Sequence, residues 1–114
     1  MEKQIQTLIA KMKADYIRFA EAGGRGPVDP ESYFGKCITN FEDNITVKTG
    51  NKYIKIIKEN SVWGFIVNTD NDQKFKKGDI LKAAGWNAPA RNAARGNILE
   101  GGYTVQWTGP LYLN

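Results

Sequence analysis

Histidine is absent from the sequence, and cysteine occurs once, as Cys37. Because imidazole is the usual general base near neutral pH and the commonest metal ligand, its absence excludes Ser-His-Asp triads, Cys-His dyads and histidine-ligated zinc. A single thiol also excludes a disulfide-stapled secreted scaffold and favours a reducing compartment. Without a base, Cys37 is expected to pack as a small hydrophobic residue. We predict no catalytic residue, no metal site and no cofactor.

Long apolar runs are also lacking, since lysines and acids interrupt every one, including those near the N-terminus. No stretch approaches the roughly 20 apolar residues that cross a bilayer, and none resembles a signal peptide. The sequence therefore predicts a cytoplasmic protein without a membrane partner. At 114 residues, 41% of them apolar, the chain is expected to fold as a single domain spanning residues 1–114.

The N-terminal segment has helical periodicity. Between residues 2 and 22, apolar side chains recur at steps of three and four, at Ile5, Leu8, Ile9, Met12, Tyr16 and Phe19. A Gly-Gly pair follows and two prolines prevent the helix from resuming, so residues 23–36 are expected to form an irregular connection. Tyr33 and Phe34 are expected to pack that connection against the core.

The remainder of the chain is rich in strand and turn signals. Strands are predicted at Ile45–Thr49, Lys52–Glu59, Val62–Asn68 and near Asp79–Ala84, with a closing edge strand at Tyr103–Trp107 that Pro110 ends. The run that begins near Pro89 predicts a short helix. The predicted fold class is α+β: an N-terminal amphipathic helix packed on an antiparallel β-meander of four to five strands, with a short helix near residues 89–95.

Positive charge is concentrated in one part of the chain. Residues 73–99 contain six cations and one acid, Asp79, which gives +5 in a chain whose net charge is +4. A nucleic-acid site combines three kinds of group: cations that neutralise phosphates, an aromatic plane that stacks on a base, and amides that reach base edges. The candidate binding residues are Lys74, Lys76, Lys77, Lys82, Trp86, Arg91 and Arg95.

Each of these residues has an alternative role. Basic runs are commonly just solvated surfaces, and a tryptophan such as Trp86 is more often buried in a core. Arg91 and Arg95 are four residues apart, so on a helix both would project from one face and could clamp phosphates. They could equally pair with acids such as Asp79 or Glu100.

Three other patterns are weaker. The glycine-rich pieces at 23–26 and 95–97 lack the strand, loop and helix context of a phosphate-binding loop, and are read as turns. Residues 70–79 begin like a calcium loop, but Lys74 and Phe75 occupy positions that need an oxygen ligand and a glycine. We therefore predict no calcium site.

Two segments resemble small uncharacterised proteins of tailed bacteriophages. They are GDILKAAGWNAPARNAARGNI at residues 78–98 and GPLYL at 109–113. In those proteins a stretch like residues 52–58 and a strand like residues 62–67 precede the same elements, and the position of Arg91 is commonly lysine. The resemblance implies a viral origin and action in the cytoplasm of an infected bacterium. It implies no catalytic residue, cofactor or partner.

The sequence thus leads to two main functional hypotheses. The first is a non-catalytic phage accessory protein whose basic segment binds a nucleic-acid backbone with little sequence preference. The second is a protein-interaction module, either an inhibitor of a host protein or a structural homo-oligomer, that uses an exposed strand edge or an aromatic face. A third, an unrecognised enzyme, would need a concave pocket that collects carboxylates, tyrosine or lysine with shifted pKa values.

Overall fold

The structure, a computed structural model, describes residues 1–24 and 26–110. The GPLYL element and the predicted turn at 23–26 therefore lie partly outside the described residues. Among the helices that the structure describes, none combines the length and the apolar character needed to cross a membrane.

The N-terminal helix, α1, runs from Glu2 to Gly24, as the apolar periodicity predicts. Its apolar stripe is buried at Leu8, Met12 and Tyr16, whereas Phe19, near the C-terminal end, is 51% exposed. The helix therefore covers the sheet along most of its length.

Four antiparallel strands form the main sheet in the order β1-β2-β3-β4. They are β1 (Ile45–Thr49), β2 (Tyr53–Lys58), β3 (Ser61–Val67) and β4 (Ile80–Lys82). Consecutive strands are neighbours, so the predicted meander and the α+β class are confirmed.

A β-bulge in β3 changes which side chains share a face. The register between β2 and β3 shifts at Ile56/Ile57 and leaves Trp63 as the extra residue. Strict alternation would place Trp63 with Phe65, but the bulge turns it to the side covered by α1.

The sheet consequently has two apolar layers. The helix-side core includes Leu8, Met12 and Tyr16 of α1 with Ile54, Ile56, Trp63 and Ile66 of the sheet. The outer-face core, on the other side, consists of Phe65, Val67, Phe75 and Leu81. Because the chain between β3 and β4 and the chain after β4 cover this second layer, both faces of the sheet are packed.

The connection predicted to be irregular contains a second helix, α2 (Tyr33–Thr39). Ser32 starts it by accepting a hydrogen bond from the backbone N–H of Gly35 at 3.0 Å. The prediction was also wrong for Tyr33, which is 77% exposed. A short 3-10 turn, Glu42–Asn44, then leads into β1.

The short helix predicted near residues 89–95 does not form. This segment is extended and pairs with the free side of β4: Ala83 bridges Pro89, the Ala90 N–H donates to the Lys82 carbonyl at 2.6 Å, and the Arg95 N–H donates to the Ile80 carbonyl at 2.8 Å. Pairing with a strand edge supplies these backbone groups with tertiary partners and outweighs local helix propensity.

The predicted closing strand does not join the main sheet. Instead β5 (Val105–Gln106) pairs with β6 (Gly109–Pro110) in a separate two-stranded sheet, so Pro110 lies within a strand and does not simply end one. The Trp63 indole N–H donates to the Gln106 carbonyl at 2.9 Å and fixes this hairpin on the helix-side core.

Candidate nucleic-acid interface

Two of the phage-like elements, Gly-Asp-Ile-Leu-Lys and Ala-Arg-Gly-Asn-Ile, bind each other. Asp79 and Asn97 are both buried, and the Asn97 amide donates to the Asp79 carboxylate at 2.9 Å and to the Lys77 carbonyl at 3.0 Å. The Asn97 side-chain oxygen accepts the backbone N–H groups of Leu99 and Glu100. This network has a structural role, since its polar groups are engaged inside the fold.

The glycines of these elements are required by the same contact. Gly78 has a φ of +92° and Gly96 a φ of +145°, in the region that favours glycine. A Cβ on Gly78 would lie 2.9 Å from the Asn97 side-chain oxygen, and one on Gly96 would lie 2.6 Å from the Tyr103 Cβ. The spacing of the motif therefore reflects close packing of two backbone segments.

Arg91 pairs with an acid other than the two suggested by the sequence. Its guanidinium donates to both carboxylate oxygens of Asp72, at 2.9 and 3.0 Å, and also to the Tyr53 hydroxyl. It stacks 4.9 Å from the centre of the Phe75 ring. The planar fork of arginine thus fixes the 69–73 loop to the sheet.

The Asp72 carboxylate is buried, and both of its oxygens accept hydrogen bonds. Its side chain is 1% exposed, and it also accepts the backbone N–H groups of Lys74 and Phe75 at 2.8 and 2.9 Å. The Arg91 hydrogen bond, followed by these backbone donors, holds the pKa of Asp72 well below its usual range. Asp72 in turn raises the pKa of Arg91, so the pair stays ionised near neutral pH.

The other four predicted residues have different surroundings. Lys76 forms an ion pair with Glu100, which raises the pKa of the lysine, and Lys77 lies in the same turn. Lys82 alternates with Leu81 and so points away from the outer-face core. Arg95 donates to the Asn92 side chain and to the Ala93 carbonyl. Lys76 is thus engaged by an acid, and Lys82 projects from the opposite face of the sheet.

Trp86 is half exposed, with 50% of its surface accessible to solvent. The Lys55 ammonium lies 4.9 Å from the centre of the Trp86 ring and donates to the side chain of the adjacent Asn87 at 2.9 Å. Of the two roles open from the sequence, burial in a core is therefore wrong. The ring is held against the surface by a cation and leaves area for a second contact.

Three lysines that the basic segment does not include extend this surface. Lys48 on β1 lies directly opposite Lys55 on β2, so both side chains project from the same face. The Lys52 ammonium lies 5.5 Å from the Tyr53 ring. Lys74, which does belong to the basic segment, adjoins this surface, since its ammonium donates to the Arg91 carbonyl at 2.6 Å. We name this surface the cationic face; its members are Lys48, Lys52, Lys55, Lys74, Trp86 and Arg91.

The placement of Lys48 and Lys55 is unfavourable for the isolated fold. Like charges directly opposite each other on neighbouring strands repel and destabilise a sheet. A bound anion would remove that repulsion, and the neighbouring tryptophan offers an aromatic plane. The predicted hairpin does not contain this pair, because a two-residue turn between Thr49 and Lys52 would place Lys48 opposite Tyr53, whereas the observed register pairs Thr49 with Ile54.

A polar crevice of about 490 Å³ adjoins the cationic face. It lies between the β1–β2 turn and the 69–73 loop, and its lining residues are Asn51, Lys52, Thr69, Asn71, Asp72, Gln73 and Arg91. Within the described part of the chain, the side chains of Asn51, Asn71 and Gln73 make no hydrogen bond to another protein group. The crevice therefore presents amide donors and acceptors beside two cations.

An aromatic surface lies elsewhere, where α1, α2 and the β5–β6 hairpin meet. Phe19 packs 6.3 Å from Phe34 and 5.4 Å from Trp107, and Phe34 packs 5.7 Å from Tyr33, as measured between ring centres. Cys37 packs against the helix-side core beneath them, as expected for a small hydrophobic residue.

Comparison with known proteins gives a family without a known activity. Neither a curated protein nor a solved structure matches the chain significantly. The model of a family of unknown function, DUF7717, matches residues 1–113. Because this match covers nearly the whole sequence, the chain belongs to the family of unknown function DUF7717.

Proposed function

We propose that this chain is a non-catalytic accessory protein that binds a nucleic-acid backbone through its cationic face. The supporting observation is the half-exposed Trp86 held 4.9 Å from the Lys55 ammonium, beside the opposed Lys48. Cations next to a stacking plane are the combination with which proteins bind nucleic acid without reading its sequence. Lys48, Lys52 and Lys55 replace Lys76, Lys77, Lys82 and Arg95 as the main phosphate-binding residues in this proposal.

Arg91 has a different role in the proposed interface. Its guanidinium is already bound to Asp72, so its charge is largely compensated. It contributes by holding Tyr53 and the 69–73 loop in place. A lysine at this position, as in the phage proteins, would keep the charge but could not make the two-pronged contact to Asp72.

We also propose a bacteriophage origin and action in the cytoplasm of the infected bacterium. The likeness of residues 78–98 to proteins of tailed phages supports this origin. The buried contact between Asp79 and Asn97 adds a physical reason why relatives that share the fold would share these residues.

The test is fluorescence anisotropy of a labelled oligonucleotide at low and physiological salt. Replacing both Lys48 and Lys55 by alanine should weaken binding and lower the slope of log K against log salt by roughly 1.4 to 1.8, at 0.7 to 0.9 per phosphate contact. The matched control is Lys76→Ala, which removes a lysine already paired with Glu100. A wild-type chain that does not bind even at low salt would refute the proposal.

A second candidate function is supported by the aromatic surface. Phe19 is 51% and Tyr33 77% exposed, and clustered exposed rings are typical of protein-binding surfaces. This observation favours a protein-interaction module, either a host-protein inhibitor or a homo-oligomer. Light scattering after size exclusion tests the homo-oligomer: the mass should rise with concentration, and Phe19→Ser with Tyr33→Ser should abolish the rise.

A further inference from the structure

The cationic face and the polar crevice lie on the same side of the sheet. Tyr53 connects them: its ring packs on Phe65 of the outer-face core, and its hydroxyl accepts from Arg91, which lines the crevice. At the other end, Lys55 lies 6.0 Å from the Phe65 ring and 4.9 Å from the Trp86 ring. The surface therefore runs along β2 from Trp86 to the crevice.

The dimensions of this track are those of a short piece of extended chain. Lys55 and Lys52 are three residues apart, about 10 Å along an extended chain. Lys52 precedes β2, and its ammonium reaches this face at the Tyr53 ring, 5.5 Å away. The crevice at the end of the track, at about 490 Å³, falls within the size range of small-ligand pockets. The Trp86 ring and the crevice thus lie at the two ends of the track, with Lys55 beside the ring and Lys52 at the crevice.

Both the Trp86 ring and the polar crevice require bases that are not paired. A base can stack on the exposed face of Trp86 only if it has left its own helical stack. The amides of Asn51, Asn71 and Gln73 carry paired donors and acceptors that match a base edge, and a crevice between two loops can admit that edge only when it is not paired.

The crevice is also preorganised. Arg91 and Asp72 form its floor through two hydrogen bonds, and the backbone of the 69–73 loop is held by the Asn71 N–H, which donates to the Thr69 hydroxyl at 3.1 Å. The backbone of the 69–73 loop is therefore fixed before any ligand arrives, which reduces the entropy lost on binding.

Building on the proposed nucleic-acid function, we infer that the ligand is single-stranded, with one base stacked on Trp86 and another bound in the crevice at Asn51 and Asn71. The lysines between the two sites bind the connecting phosphates. Double-stranded nucleic acid can engage those lysines alone, so it binds more weakly and without any contribution from its bases.

The experiment compares four probes of equal length at one salt concentration, by fluorescence anisotropy. They are single-stranded DNA, single-stranded RNA of the corresponding sequence, duplex DNA and an abasic DNA strand that keeps the sugar-phosphate backbone. Wild type should bind both ordinary single strands at least about 10-fold more tightly than the abasic strand, since stacking on an aromatic side chain alone contributes about 5- to 150-fold per base. The RNA and DNA strands show whether the 2′-hydroxyl matters.

The variants separate the two base sites. Trp86→Ala should lose about 10-fold in single-strand affinity, and Asn51→Ala with Asn71→Ala about 5-fold, while neither changes binding to the abasic strand. Gln106→Ala, an exposed amide on β5, is the matched control and should bind all four probes as wild type does. Because these side chains are exposed, the variants should fold, which circular dichroism verifies.

The outcomes distinguish this inference from the function on which it rests. If no probe binds at low salt, the proposed nucleic-acid function fails, and the inference fails with it. If duplex and abasic strands bind as tightly as single strands, or if the crevice variants weaken all four probes equally, the backbone function stands and the base sites are refuted.

Discussion

Replacing Asn97 by alanine should remove much of the stability of the fold. Asn97 is 6% exposed, and its side chain donates to Asp79 and Lys77 and accepts from Leu99 and Glu100. A hydrogen bond to a buried charge is worth about 1.5 to 3 kcal/mol, and leaving further buried partners unpaired adds to that cost. We expect the free energy of unfolding to fall by about 3 kcal/mol, against a total of about 5 to 15 kcal/mol for a domain.

Urea unfolding followed by tryptophan fluorescence measures this effect, because Trp63 is 3% exposed and reports on the core. The thermal midpoint should fall by about 12 °C, at roughly 4 °C per kcal/mol for a domain of this size. The matched control is Asn71→Ala, an exposed amide whose side chain has no hydrogen-bond partner among the residues that the structure describes, and which should change the free energy of unfolding by less than about 0.5 kcal/mol. If Asn97→Ala is as mild as this control, the Asp79–Asn97 network does not have the structural role assigned to it.

Three further predictions concern stability. Gly96→Ala should lower the free energy of unfolding by about 2 kcal/mol in urea titrations, since its Cβ would lie 2.6 Å from the Tyr103 Cβ; a neutral effect would contradict the packing. Gly23→Ala, a helical site with open space around its Cβ, should raise it by up to about 1 kcal/mol in the same assay. The pKa of Asp72 is lowered by folding, so its carboxylate stabilises the fold fully above its unfolded pKa of about 3.9 and loses that effect as the pH falls further. The difference in urea midpoint between wild type and Asp72→Asn should therefore shrink below about pH 4, and a constant difference would refute this linkage.

The sequence predicted the elements whose signals are local. The apolar steps along α1 and the alternation of strands and turns in β1, β2 and β3 depend on neighbouring residues only. The helix and the meander are confirmed, although the β1–β2 turn is longer than the two residues predicted between Thr49 and Lys52. Residues 89–95 were misread because their partner, the free side of β4, is set by tertiary contact. The bulge at Trp63 could not be predicted for a similar reason. The alternation of residues along one strand does not reveal a register shift in its pairing with another strand.

The candidate site was predicted in part, because charge was counted along the chain and not across the sheet. Lys74, Trp86 and Arg91 lie together, but Lys48 and Lys55 join them only through strand pairing. Arg91 was expected either to bind phosphate or to pair with an acid such as Asp79 or Glu100, whereas its partner Asp72 lies 19 residues away in sequence and reaches it by loop folding. The predicted hairpin would have placed Lys48 and Lys55 on one face but not opposite each other, because the observed β1–β2 turn is longer than the predicted one.

The two margins of the main sheet differ in a way that limits how these molecules can assemble. The outer side of β4 is saturated by residues 83–98, whereas the outer side of β1 faces solvent and has no strand partner among the described residues. Edge-to-edge pairing of two main sheets requires a free edge strand from each, and within the described residues the main sheet offers only β1. Such pairing would therefore stop at a symmetric dimer and could not propagate into a filament. In that dimer Lys48 of both copies would approach each other at the shared edge, and their repulsion would oppose pairing unless an anion lay between them.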